Sequence, residues 1–275
     1  MTVLVAPTTR DVVTVTGPEA LTYLQGQVSQ DVAGMEIGDV AWTFVLQPQG
    51  KVSAWARLDR AAPETFRLDV AAGAGEALHA RLTRFLLRTK AEVTLAAGTP
   101  VLAVRGAEVL DGVPCGWPGV VGSDVFDADP TTLPSDLPPD HALVDHAEVE
   151  AIRIRAGVPE MGAEATDDTI PAELGQWVID ASVSFTKGCY TGQELVARVD
   201  SRGGNVPRRL VGLVGEGLAV GAEVTVDGAA VGSVTSAAGG VGLTLLHRKV
   251  EVPAAVEVAG APVRAVALPI RPGDL

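Results

Sequence analysis

The sequence predicts an α+β protein whose chain ends in a small β-barrel. Three observations carry that prediction. Period-two alternation recurs in short runs through the first part of the chain, as in Asp11-Val-Val-Thr-Val-Thr16 and Val40-Ala-Trp-Thr-Phe-Val-Leu46. Helical spacing of apolar residues appears in only two or three places, most clearly at Leu78, Leu82, Phe85 and Leu86. From Arg208 onward, short apolar runs follow one another at close spacing with glycine turns between them, which is the pattern of a small barrel.

Composition bounds the function. The chain has 275 residues, 47% hydrophobic and 20% charged, enough to bury a full-sized core. A formal net charge of −13 excludes broad, non-specific nucleic-acid binding, because the phosphate backbone is repelled. The opening MTVLVAPTTRDVV lacks a basic stretch followed by a long apolar run, and no apolar run reaches transmembrane length, so a cytoplasmic protein without membrane contact is expected. Cys115 and Cys189 offer neither a disulfide framework nor zinc spacing, and no structural metal is expected.

In chain order, residues 11–16 read as a strand. Pro18 at a first helical turn opens a helix with Leu21, Leu24 and Val28 on one face, interrupted by Gly26. Residues 40–46 and 52–58 form a hairpin around Gln47-Pro-Gln-Gly-Lys51. A strand at 66–70 is closed by Gly73 and Gly75. Residues 76–90 read as an amphipathic helix in which Arg81, Arg84 and Arg88 share a face. That face is either solvated or a seat for an anionic ligand tail or an RNA phosphate. Two strands follow at 91–95 and 101–104. Residues 106–140, rich in Pro, Gly and Asp, read as surface loop, with Cys115 structural. Residues 148–155 form a helix stopped by Gly157 and Pro159. The barrel strands fall at 208–214, 221–226, 229–235, 241–246, 255–258 and 263–267, with Asp227-Gly228 a hairpin turn.

The stretch that carries chemistry is 183–198, VSFTKGCYTGQELVAR. Thr191 and Glu194 have capping-box spacing, with Thr191 as N-cap of a helix running to Arg198 and stopping before Gly203-Gly204. Cys189 then sits before the positive end of that helix, two residues from Lys187. Both features favour the thiolate that a reactive cysteine needs. The alternative is a small buried residue in a turn.

Lys187-Gly-Cys-Tyr-Thr-Gly-Gln-Glu194 resembles the signature of the YgfZ family of folate-binding proteins, which is linked to iron–sulfur cluster assembly and repair. That family is related to the T-protein (aminomethyltransferase) of the glycine cleavage system. Residues 23–32 are similar to its L-Q-G-x-x-[ST]-x-D phrase, 46–51 to L-x-P-Q-G-K, 153–159 to R-[IL]-x-x-G-x-P, and 232–236 to G-x-V-T-S. The resemblance implies a T-protein-like folate-binding core of interwoven subdomains over 1–205 and a C-terminal β-barrel over 206–275, arranged around a central hole. The irregular region 106–140 lies outside it.

The resemblance further implies tetrahydrofolate, or a reduced derivative, as cofactor. Iron–sulfur client enzymes or assembly factors, tRNA-modifying ones among them, are the implied partners. Cys189 would be the reactive thiol, with Lys187 holding it as thiolate. Glu173 would accept the two parallel donors of a pterin in bidentate fashion, or would be an N-terminal helix charge. Arg208 and Arg209 would lie near the folate, or be exposed strand-entry charges. Tyr190, Gln193, Glu194 and Asp31 complete the implied folate site, with Asp31 alternatively a turn cap. T-proteins carry an acid a few residues after the glycine that corresponds to Gly50. Here Ser53-Ala-Trp-Ala56 stands instead, without that proton-handling group. An accessory role in iron–sulfur assembly therefore leads. A folate-dependent one-carbon transferase or demethylase is the alternative. One cysteine alone does not hold a cluster that normally takes four ligands.

Overall fold

The computed structural model describes residues 2–129 and 132–275. Met1 and, within the expected loop region, Pro130 and Thr131 lie outside the described residues. The first half forms one large sheet. Its elements are β1 (Val3–Thr16), α1 (Ala20–Gln27), β2 (Val40–Leu46), β3 (Val52–Ala62), β4 (Thr65–Ala71), α2 (Gly75–Thr83), β5 (Glu92–Arg105), β6 (Val113–Pro114), β7 (Gly122–Phe126) and β8 (His141–Leu143). The strand order is β2-β3-β4-β1-β5-β7-β6, with β8 pairing β1 in parallel. α3 (His146–Ala156), α4 (Gln176–Ser182) and α5 (Gln193–Ser201) follow. The chain then closes a barrel in the order β10-β11-β12-β9-β14-β13. These strands are β9 (Arg208–Val214), β10 (Glu223–Val226), β11 (Ala229–Ala238), β12 (Val241–His247), β13 (Ala254–Val258) and β14 (Ala261–Val266).

Apolar periodicity decides where each layer packs. One face of the sheet buries Val13, Phe66 and Leu68 against Leu24 of α1 and Leu78 and Leu82 of α2. The β2–β3 end packs Phe44, Leu46 and Trp55 against Leu174, Val178 and Tyr190. The barrel has its own interior, with Leu213, Val224, Leu246 and Val256. α3 bridges the two assemblies. Its Val149 meets Ala6 and Ala103 of the sheet, while Ile154 packs on Leu243 and Ile270 at the barrel.

The barrel strands fall close to their predicted positions, and Asp227 and Gly228 both adopt positive φ (50° and 77°), as a two-residue hairpin turn requires. The hairpin of β2 and β3 also forms as expected, pairing Val40 with Asp59 through Phe44 with Trp55. Other elements differ from expectation for identifiable reasons. β1 begins at Val3, well before the predicted residue 11. Pro7 is accommodated because Ala6–Thr9 pairs only with β5, between the ends of β8 and β4. The two strands expected at 91–95 and 101–104 are one, β5, with a bulge near Gly98. Asp11 holds that bulge by accepting N–H bonds from Gly73, Gly75 and Gly98 (2.8, 2.9 and 2.8 Å). α2 stops at Thr83 instead of reaching residue 90, and Arg88 takes positive φ. Arg81, Arg84 and Arg88 therefore do not share a helical face. The Tyr23 hydroxyl donates to the Leu82 carbonyl where the helix gives way to tighter turns. The 106–140 region is not all surface loop: β6 and β7 extend the sheet, and Cys115 is buried within it.

Candidate functional site

Three stretches far apart in sequence meet around Cys189. Lys187 Nζ donates to the carbonyls of Val28 and Gln30, both at 2.7 Å. Ser29 Oγ donates to the Ser182 carbonyl at 2.6 Å, and Gln30 Nε2 to that of Ala181 at 3.1 Å. Thr191 N–H reaches the Gly26 carbonyl at 3.3 Å. The turn of the β2–β3 hairpin closes the arrangement. Gly50 and Gly192 both have φ of +82°, and a Cβ on Gly192 would lie 2.5 Å from the Gln47 carbonyl oxygen. A Cβ on Gly50 would lie 2.4 Å from Leu195 Cβ. The two backbones approach this closely only because both residues are glycine.

The expected capping box is not formed. Gly192, in the left-handed region, is the N-cap of α5, and it makes no side-chain cap bond. Gln193 Oε1 instead accepts from the Tyr190 N–H at 3.2 Å. α5 runs to Ser201, three residues beyond the expected Arg198. Cys189 is exposed, as are Phe185 and Glu194, so the thiol faces outward from the loop. Tyr190 is buried beneath it, with its phenol pushed up to about 12 by burial. The Lys187 ammonium lies 5.2 Å from the Tyr190 ring centroid. Burial, against the pull of Asp31, draws it down to about 8.

The remaining predicted site residues are placed as follows. Asp31 accepts from Gln25 Nε2 at 2.8 Å. The Glu173 carboxylate is buried, and both its oxygens are taken by Arg208, through Nε at 3.0 Å and Nη2 at 3.1 Å. Its Oε2 also accepts the Ile170 N–H. In this arrangement its bidentate capacity is turned to an arginine and not to an open pocket. Arg209 donates to the Val250 carbonyl at 3.0 Å. Arg208 also lines a 430 Å³ groove beside the barrel with Thr166, Ser233 and His247.

A larger cavity, 710 Å³, lies elsewhere, between the sheet and α3. Neither Cys189 nor Glu173 lines it. The singly paired stretch of β1 supplies Pro7, Thr8 and Thr9. Trp42 and Trp117 supply aromatic walls. Trp42 stacks on Trp55 with centroids 4.0 Å apart, and the Arg105 guanidinium lies 4.1 Å from the Trp117 ring. The floor is a chain of alternating charges. Arg10 Nε meets Asp69 Oδ1 at 2.5 Å, Arg57 Nε meets Asp69 Oδ2 at 2.8 Å, and Arg57 Nη1 meets Asp124 Oδ2 at 2.8 Å. Arg105 Nη1 lies 2.9 Å from Asp124 Oδ1. Burial pushes the Asp124 carboxyl up, but Arg105 and Arg57 outweigh it and hold the group below the usual carboxylate range.

The α3 side contributes carboxylates. Arg153 binds Glu150 through Nε and Nη2 (2.8 and 2.5 Å) and sits 3.6 Å from Glu160. Its Nη2 also donates to Ser236 Oγ, which in turn donates to the buried Glu164, both at 2.6 Å. This network ties the cavity wall to β11. None of Arg10, Arg57, Asp69, Asp124, Glu150 or Glu160 was singled out by sequence motif. The available signal was a charged residue inside an apolar strand run, as with Arg57 in Ala54-Trp-Ala-Arg-Leu58.

The cavity is of a size that holds a drug-sized ligand, with flat aromatic walls and a few convergent charges. That donor set suits a planar heterocycle bearing both hydrogen-bond donors and anionic groups.

The architecture defines the class first. The fold is that of aminomethyltransferase T of the glycine cleavage system, as solved for Bartonella henselae. The TM-score is 0.76, covering 98% of this chain and 86% of that one at 18% identity. Sequence narrows the relationship. The chain is 26% identical over 219 residues to the tRNA-modifying protein YgfZ of Edwardsiella ictaluri, and 28% identical over 217 residues to that of Serratia proteamaculans. Each of these matches covers 70% of this chain and 65%, less than two thirds, of the relative. An uncharacterized protein of Haemophilus influenzae is 28% identical over 205 residues, 74% of this chain and 71% of that protein. No family model matches. In sequence the chain is similar to YgfZ proteins, and its fold is that of the T-protein.

Proposed function

We propose that this protein binds a reduced folate in the central cavity and acts as an accessory factor for iron–sulfur enzymes, those that modify tRNA among them. The observation that carries the reading is the 710 Å³ cavity with its Trp42 and Trp117 walls and paired charges, in a chain whose relatives are named tRNA-modifying proteins. The outward-facing Cys189 supports a thiol offered to a partner. Lys187, held on the Val28 and Gln30 carbonyls, fixes the shape of the loop that presents it. The chemical environment of the cavity supports the folate part: carboxylates accept heterocycle donors, and arginines take anionic groups.

Two measurements test this. Titration with 5-formyltetrahydrofolate should quench tryptophan fluorescence saturably, since Trp42 and Trp117 line the cavity. In the host, deletion of the gene should lower a [4Fe–4S]-dependent tRNA methylthiolation, restored by the wild-type gene and not by Cys189→Ala. No change on deletion removes the iron–sulfur role. Full rescue by Cys189→Ala retains that role and makes the thiol structural.

A further inference from the structure

The floor of the central cavity holds more positive charge and more N–H donors than its own acceptors use. The chain Arg10–Asp69–Arg57–Asp124–Arg105 sets three guanidinium groups against two carboxylates. Arg57 and Arg105 are 2% and 4% exposed, yet Arg57 Nη2 and Arg105 Nε have no hydrogen-bond partner among the described residues. Arg105 is close to Asp124 Oδ1, but its Nη1 donates to the carbonyls of Val104 and Ser123 (2.9 and 3.2 Å), leaving that oxygen without a hydrogen bond. Buried charges and donors in surplus cost stability unless something answers them. Arg10 is the most open member, with a side chain 20% exposed that lines the cavity. On the α3 side of the same cavity Arg153 is already answered by Glu150 and Glu160, so the arginine floor is the place for an anion.

We propose that this ladder is an anion seat that receives the carboxylates of the ligand's tail. The inference rests on the folate reading and deepens it. It assigns the arginine floor to the glutamate end and leaves the Trp42, Trp117 and Glu160 region to the heterocycle. Arg10 makes the first contact as a forked donor, and Arg57 and Arg105 supply the surplus field behind it.

Arg10→Gln is the informative variant, because Asp69 keeps its bond to Arg57. Four probes separate the sources of the anion: 5-formyltetrahydrofolate, 6-methyltetrahydropterin (which has no carboxylate), p-aminobenzoylglutamate and inorganic phosphate. Binding is measured by calorimetry on the full chain, with Arg10→Lys as a partial rescue. Arg10→Gln should weaken the tailed folate about tenfold, the loss of one charged contact of ~1.4 kcal/mol, and leave 6-methyltetrahydropterin within about twofold. Equal weakening of both, or weakening of neither, overturns the seat while the folate reading stands. Arg10-dependent binding of p-aminobenzoylglutamate or phosphate by a wild-type protein that ignores both pterins keeps the seat and removes the folate reading. Binding of none of the four probes removes both.

Discussion

Gly192→Ala tests whether the Cys189 loop is held by backbone contact with the β2–β3 turn. Gly192 has φ +82° and ψ 2°, and the left-handed conformation costs an L-residue about 1–2 kcal/mol. The new Cβ would also lie 2.5 Å from the Gln47 carbonyl oxygen and 2.7 Å from Leu46 Cβ. Neither neighbour is the far end of a flexible side chain, so the two segments must separate, at about 1–3 kcal/mol as for other overpacked sites. The expected total is about 2–5 kcal/mol, read as a loss of unfolding free energy in equilibrium urea denaturation. Gly188→Ala is the control. It sits in the same loop with nothing within 4 Å of its Cβ position and should be nearly neutral. Hydrogen exchange across 184–201 should accelerate in Gly192→Ala and not in the control. A Gly192→Ala protein within about 0.5 kcal/mol of wild type, the usual range for an unconstrained surface change, would refute the argument.

Three further outcomes follow from the same structure. Asp124→Ala strips Arg57 of one carboxylate and leaves Arg105 facing none on the ladder, so it should cost about 3–5 kcal/mol, as for breaking a buried ion pair. Urea denaturation checks it, and a cost below about 1 kcal/mol would show that solvent or rearrangement compensates. Lys187 binds its proton less tightly in the folded protein, at about 8, than a free lysine does at 10.5, so stability should rise as pH climbs from about 8 toward 10.5. Lys187→Met should flatten that rise, and identical slopes in the two proteins would contradict the burial argument. Glu173→Gln should cost about 1.5–3 kcal/mol by weakening the two bonds from Arg208, yet leave ligand affinity in the central cavity within about twofold. A large loss of affinity with little loss of stability would instead place Glu173 at the ligand site.

The sequence by itself determined the barrel strands, the β2–β3 hairpin and the likeness to YgfZ proteins. Alternation and glycine turns sufficed for the barrel strands, because β10–β11, β11–β12 and β13–β14 are hairpins closed by short turns such as Asp227-Gly228, while β9 pairs with the more distant β12 and β14. The Cys189 signature sufficed for the YgfZ likeness, because it is a contiguous string. Elements decided by distant partners were not legible. β1 extends through Pro7 because β5 pairs with it over most of its length, and β5 continues through its bulge because Asp11 caps Gly98 from the neighbouring strand. α2 ends early where Tyr23 meets Leu82. Thr191 and Glu194 have capping spacing, but contact with Gln47 and Gly50 places the left-handed Gly192 at the helix start instead.

The cavity belongs wholly to tertiary structure. The charged ladder at its floor takes one residue from each of five strands: Arg10 of β1, Arg57 of β3, Asp69 of β4, Arg105 of β5 and Asp124 of β7. A lone charge in a strand carries no periodic signal. Only the sheet order that sets β7 beside β5, and β4 between β1 and β3, brings the five together, and only their burial at the cavity floor makes their pairing obligatory.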